Sequence, residues 1–150
     1  MDIIAELAHE FFSQVEGMRG VLNPKTGEVL VDAPESFTGE PGIDWEDGLA
    51  EVLMLVPEMT SSEAHQLRED FAKRLRESKE RTSLLQSLKR NKPFNHFRLQ
   101  LESLEMEEDW YNLEEKYAKQ RIVEWLKEEG LYSEIVRFNQ SRFKERNDSQ

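Results

Sequence analysis

Gly20-Val21-Leu22-Asn23-Pro24-Lys25-Thr26-Gly27-Glu28-Val29-Leu30-Val31 sets two short apolar, β-branched runs around a turn. Pro24 presets one turn position and Gly27 is free to take positive φ, so the stretch predicts a β-hairpin. Upstream, Ile3, Ile4, Leu7, Ala8, Phe11, Phe12 and Val15 recur at helical spacing. They predict an amphipathic helix over residues 2–16, with Asp2 as its cap and Gly17 as its stop. Downstream, residues 32–48 are acidic and rich in Pro and Gly, with Phe37, Ile43 and Trp45 as isolated apolar anchors. That composition predicts a long loop or flap. Leu49 to Val56 is nearly continuous in apolar residues and is stopped by Pro57, which predicts a third strand paired with the hairpin.

From Thr60 onward the pattern is helical. Thr60-Ser61-Ser62-Glu63 is a capping-box sequence, with Ala64, Leu67, Phe71 and Leu75 as the buried stripe behind it. A second helix centres on Leu84, Leu85 and Leu88. Pro93 opens a third, whose stripe is Phe94, Phe97, Leu101 and Leu104. A fourth starts near Asp109 and carries Trp110, Leu113, Tyr117, Ala118, Ile122, Trp125 and Leu126 on one face, with Gly130 placed to close it. A short last helix holds Ile135, Val136 and Phe138, and a polar tail that frays is expected from about Asn139. The fold class is therefore α+β: an N-terminal helix, a small three-stranded antiparallel sheet, and a C-terminal group of four to five helices. At 150 residues the chain is expected to be one domain, long enough to bury about 70% of the surface its unfolded form exposes.

Three features in this order resemble a known family. They are the N-terminal helix followed by the hairpin around Lys25-Thr26-Gly27-Glu28-Val29, the Phe94-x-x-Phe97 pair, and the helix from Trp110-Tyr111 to Trp125-Leu126 that ends in Glu128-Glu129-Gly130-Leu131. The chain is similar to uncharacterised protein family 0158, a group of small bacterial proteins. The resemblance implies this fold arrangement and a bacterial cytoplasmic setting. Its motifs are packing and turn signals, and it brings no activity and no functional residues.

Charge is strongly segregated. Residues 1–66 carry 14 acidic and 2 basic side chains, residues 67–98 carry 4 and 10, and residues 99–150 carry 13 and 8, within a net charge of −11. Such a chain either folds its acidic parts over its basic part or presents two surfaces of opposite sign. The acidic pI near 4.8 disfavours general binding to nucleic acid or anionic lipid. Zero cysteines exclude disulfides, thiolate metal sites and a cysteine nucleophile, and fit a reducing compartment. Acids at the N-terminus and the absence of a long apolar run argue against a secretory signal or membrane span, so the expected compartment is the cytoplasm.

Reaction chemistry is sparse. His9, His65 and His96 have no metal-ligand spacing, and His9-Glu10 is followed by Ser13 where a zincin needs its second histidine. Lys25-Thr26-Gly27 echoes a β-lactamase fragment, but the one Ser-x-x-Lys, Ser141 to Lys144, lies in the expected tail. Asp44-Trp45-Glu46-Asp47-Gly48 lacks the alternation of a calcium loop. There is no glycine-rich phosphate loop. No catalytic residue, metal site or cofactor is therefore assigned.

Two charged constellations stand out. Lys89-Arg90-Asn91-Lys92-Pro93, with His96 and Arg98 one turn on, joins two helices where an anion would meet basic side chains and helix N–H groups together. Upstream, Glu69–Lys73, Asp70–Arg74 and Glu77–Arg81 are spaced for helix ion pairs, which leaves the 89–98 group without local partners. Between Glu102 and Glu115 there are seven carboxylates and no base. Glu105, Glu107, Glu108 and Asp109 form either a helix-capping cluster or an acidic docking face. The reading is a non-enzymatic interaction protein, an adaptor or inhibitor that uses oppositely charged surfaces toward a protein partner. One alternative is a hydrolase or nucleic-acid-processing enzyme built on carboxylates such as Asp44 or Glu46. Another is an RNA or phospholigand binder working through the 89–98 junction; Phe94 and Phe97, which lie between the charges as base-stacking residues would, are expected in the core.

Overall fold

A computed structural model describes residues 2–13 and 16–148, the last three as backbone only. The chain forms two compact units, one from residues 1–58 and 118–150, the other from residues 59–117.

The first unit opens with α1 (Ile3–Phe12), capped by the Asp2 carboxylate accepting from the Ala5 N–H. Ile3, Leu7, Ala8 and Phe11 are its buried stripe. The helix stops at Ser13, whose N–H closes on the His9 carbonyl, earlier than the expected glycine stop; Val15 lies outside the described residues. Strands β1 (Arg19–Leu22) and β2 (Val29–Asp32) pair antiparallel with Leu22 opposite Val29. The hairpin is the one the sequence predicts. The Asn23 side chain accepts from the Lys25 N–H, and the Gly27 N–H returns to the Asn23 carbonyl at 2.8 Å. Gly27 has φ +79°, and a Cβ there would lie 2.9 Å from the Phe138 ring and 3.0 Å from Ile3.

After β2 the segment expected as a flap contains a single helical turn, α2 (Glu35–Thr38). It is also tethered: the Asp32 carboxylate accepts from the Ile43 N–H and from the Trp45 indole N–H, both at 2.8 Å. The expected third strand is mostly a 3-10 helix (Gly48–Val52), because Asp47 caps the Leu49 N–H and turns the chain. Only Met54–Leu55 pairs, as β3 on the other side of β1, which gives the order β2-β1-β3.

The second unit contains α3 (Ser61–Lys73), α4 (Lys79–Ser87), α5 (Pro93–Ser103) and the first part of α6 (Glu107–Glu128). Thr60 caps α3 by accepting from the Glu63 N–H, and Ser78 caps α4 by accepting from the Arg81 N–H. Leu75 falls beyond the helical part of its predicted stripe. Phe71, Phe97 and Trp110 pack edge to face around the centre of this unit, with centroids 5.3–6.3 Å apart. The Tyr117 hydroxyl bonds to the Glu63 carboxylate.

The rest of α6 and α7 (Tyr132–Asp148) belong to the first unit. Gly130, at φ +70°, ends α6 with the Leu131 N–H returning to Leu126, as its position predicts. The expected fraying tail is corrected, for α7 continues through it to Asp148. Asn139 accepts from the Ile3 N–H at 2.8 Å, and Arg142 pairs with Glu6 at 3.1 Å. The polar residues there are ties to α1, a role that an apolar pattern cannot report.

Candidate functional site

Both charged constellations fall around α5. At its start, Leu88 ends α4, and the N–H groups of Lys89 and Arg90 close onto Gln86 and Ser87. Lys92 then takes φ 53°, ψ 58°, a left-handed conformation that costs a side-chain-bearing residue roughly 1–2 kcal/mol. Pro93 follows at the first helical position, where its missing N–H is harmless. Lys89, Arg90, Lys92 and Arg98 are exposed, and His96 is half-buried. The junction is held from beneath by His65 of α3, whose Nε2 lies 3.3 Å from the Leu88 carbonyl.

At its other end, Glu105 is also left-handed, with φ 56°, and the Met106 N–H returns to the Leu101 carbonyl. A glycine usually occupies this helix-stopping position. Glu107, Glu108 and Asp109 form the first turn of α6, where the helix dipole favours them. Glu105, Glu108 and Asp109 are exposed, while Glu107 is half-buried.

Among the described residues, only Lys73 of the ten Lys and Arg side chains between residues 67 and 98 has a carboxylate within 4.0 Å, that of Glu69. The other two expected helix pairs do not form. Asp70 accepts instead from the Gln66 amide, and Glu77 precedes the helix that holds Arg81. The Arg98 guanidinium donates to the neighbouring Asn95 side chain at 2.9 Å.

Between α3, α5 and the start of α6 lies a pocket of 330 Å³, and sequence reasoning missed it. Arg68, Phe97, Arg98, Glu107, Trp110 and Glu114 are among its lining residues. The Arg68 guanidinium sits 4.1 Å from the Phe94 ring centroid and 5.0 Å from that of Trp110, a cation–π arrangement. One of its terminal nitrogens donates to the Ala64 carbonyl, while its buried Nε has no partner. Burial pushes the Glu114 carboxyl above its ordinary range, opposed by Arg68, and pulls Arg68 below its own, opposed by Glu114. A signal was present in the sequence. Arg68 follows Ala64 by four residues and precedes Ala72 by four, so a cation stands on the apolar stripe. Phe97 is core as expected, but Phe94 is half-buried beneath this cation.

The flap carboxylates Asp44 and Glu46 are exposed, and Asp44 is engaged in a local turn with the Glu46 N–H. Among the described residues no group of three or more His, Asp or Glu is placed to hold a metal ion. No helix among them is long and apolar enough to cross a membrane.

The model of the uncharacterised protein family UPF0158 matches residues 43–141. The chain belongs to this family. The UPF0158 match takes in all of α3 to α6 and most of α7, and with them both charged constellations and the Arg68 pocket. The resemblance seen in sequence also covers α1 and the hairpin, which precede the matched residues. Comparisons with curated proteins and with solved structures return no match.

Proposed function

We propose that this UPF0158 protein is a cytoplasmic, non-enzymatic interaction module, an adaptor or inhibitor. It engages an acidic protein partner through Lys89, Arg90, Lys92, His96 and Arg98, and a basic one through Glu105, Glu107, Glu108 and Asp109. One observation carries this reading: among the described residues, nine of the ten cations in the basic segment have no carboxylate within 4.0 Å. Exposed charge of one sign, displayed on ordered helices, speeds encounter and selects partners. A second observation supports both surfaces. Each has a charged residue, Lys92 or Glu105, in a backbone conformation that glycine adopts at lower cost.

The test is the double charge reversal Arg90→Glu, Lys92→Glu. Partner recovery from cell extract at two salt concentrations should fall for the double variant and lose salt sensitivity, while its thermal midpoint stays within about 2 °C of wild type, as for exposed substitutions of up to ~0.5 kcal/mol. Lower stability with unchanged partners would overturn the reading and make the junction an internal counter-charge. Co-purification of nucleic acid, lost in the same variant, would favour the RNA-binding alternative instead.

A further inference from the structure

The charged surfaces leave the open edge of the small sheet without a task. In the order β2-β1-β3, β2 has a neighbouring strand on one side only. The Val56 N–H bonds to the Gly20 carbonyl and the Asn23 N–H to the Glu28 carbonyl, which fixes the alternation along the hairpin. The peptide groups of Leu30 and Asp32 face β1, and those of Val29 and Val31 face outward. Among the described residues no group bonds to the N–H or carbonyl of either valine. Val31 is 43% exposed, so the edge can be reached from solvent. Natural sheets blunt such an edge with lysine, proline or a bulge. Val29-Leu30-Val31 carries none of these, and its register with β1 is unbroken.

Two donors and two acceptors in a row match an extended backbone, and the side chains say which one. Val29 and Val31 lie on the face that packs on α1, since a Cβ at Gly20, opposite Val31, would lie 2.6 Å from Glu10. Glu28, Leu30 and Asp32 share the other face. A second copy of β2 does not suit this edge. Antiparallel pairing of both valines with their counterparts sets Glu28 of each strand opposite Asp32 of the other, so like charges meet twice. A strand with basic residues at those two places is the complement. Arg19, opposite Asp32 on β1, is drawn to Glu58 at 2.7 Å, and no Lys or Arg occurs between Thr26 and Leu67. The exposed Trp45, with its indole N–H held on Asp32 at 2.8 Å, also brings an aromatic ring to the place of one incoming cation.

We infer that the β2 edge accepts an extended basic segment of a partner protein as a fourth strand, antiparallel to β2, in the pattern basic, β-branched, apolar, β-branched, basic. The two β-branched residues exchange backbone hydrogen bonds with Val29 and Val31, the apolar residue lies beside Leu30, and the flanking cations meet Glu28 and Asp32. The backbone bonds supply affinity, while the two ion pairs fix register and exclude self-pairing. None of the residues of the two charged surfaces takes part, so this edge stands or falls apart from them.

The probe is a dye-labelled pentapeptide, Lys-Val-Leu-Val-Lys, blocked at both ends and titrated by fluorescence anisotropy against the full chain. Saturable binding is expected. It should weaken at least tenfold when both valines are N-methylated, because their N–H groups face β2, and change little when only the leucine is N-methylated, because its N–H faces away. Glu28→Lys, at an exposed side chain, should weaken binding several-fold, and Lys-Val-Leu-Val-Glu should restore it, since antiparallel pairing sets the last residue opposite position 28. Val31→Pro removes an N–H that β1 does not use, so it should keep the fold and lose the peptide. If that variant does not fold, the N-methylated peptides carry the test on the unaltered chain. Absence of saturable binding would overturn the inference. Equal affinity for the peptide with both valines N-methylated would overturn it too, by reducing the contact to charge alone. So would a concentration-dependent dimer in sedimentation that disappears in Val31→Pro, which would make a second copy the occupant of the edge.

Discussion

The α4–α5 junction and the distal half of α7 are both polar, charged stretches with little apolar pattern, and they meet opposite fates. In α7, Asn139 bonds the Ile3 N–H, Arg142 pairs with Glu6, and a second Arg142 nitrogen lies 3.4 Å from the Gly27 carbonyl. In the junction, Lys89, Arg90 and Lys92 have no carboxylate within 4.0 Å among the described residues. Polarity alone therefore does not separate a segment that is docked from one that is displayed. What separates them is what lies nearby: the Ile3 N–H and the Glu6 carboxylate meet Asn139 and Arg142, whereas no carboxylate among the described residues comes within 4.0 Å of the junction's Lys89, Arg90 and Lys92.

That contrast can be broken at three points. The largest effect is expected at Gly27, where both the left-handed φ and the contact with Phe138 and Ile3 forbid a side chain. Gly27→Ala should cost about 2–3 kcal/mol by chemical denaturation, combining backbone strain with overpacking. A loss below about 0.5 kcal/mol would mean that α7 does not press on the hairpin turn. Asn139→Ala comes next. Removing the acceptor of a partly buried N–H should cost about 1–2 kcal/mol, and native-state hydrogen exchange at Ile3 should speed up accordingly; an unchanged rate would return this part of α7 to the status of a tail. The smallest effect has the opposite sign. Lys92→Gly relieves the left-handed strain but adds freedom to the unfolded chain, for a net gain of about 0.5 kcal/mol. If Lys92 is displayed for binding, the more stable variant recovers less partner. A loss of stability instead would show that the lysine side chain holds the junction together.

The hairpin, the capped start of α3, Pro93 and the Gly130 stop were legible because each depends on local backbone rules. The third strand was legible in its place beside the hairpin but read too long, because Asp47 caps a turn inside an apolar run and a local cap overrides the pattern over Leu49 to Val52. The docked half of α7 was hidden for a different reason: its ties to Ile3 and Glu6 are non-local, and only the folded chain brings them together. At the site, the charged constellations were visible as composition, whereas the absence of counter-ions is a property of the fold. The pocket around Arg68 escaped because a single cation on an apolar stripe reads as an interruption until the rings of Phe94 and Trp110 close over it.

The bond between Ile3 and Asn139 also bears on the order of events during synthesis. All the contacts within residues 59–117 join residues of one uninterrupted stretch, so they need nothing that is synthesised after Tyr117. The unit holding the hairpin must wait. Ile3 and Glu6 emerge early, yet their partners Asn139 and Arg142 come about 136 residues later. At the usual 5–20 residues per second, α1 spends roughly 7–27 s without its last neighbours. The middle unit thus needs nothing made after it, whereas α1 waits for the end of α7 before its last contacts can form.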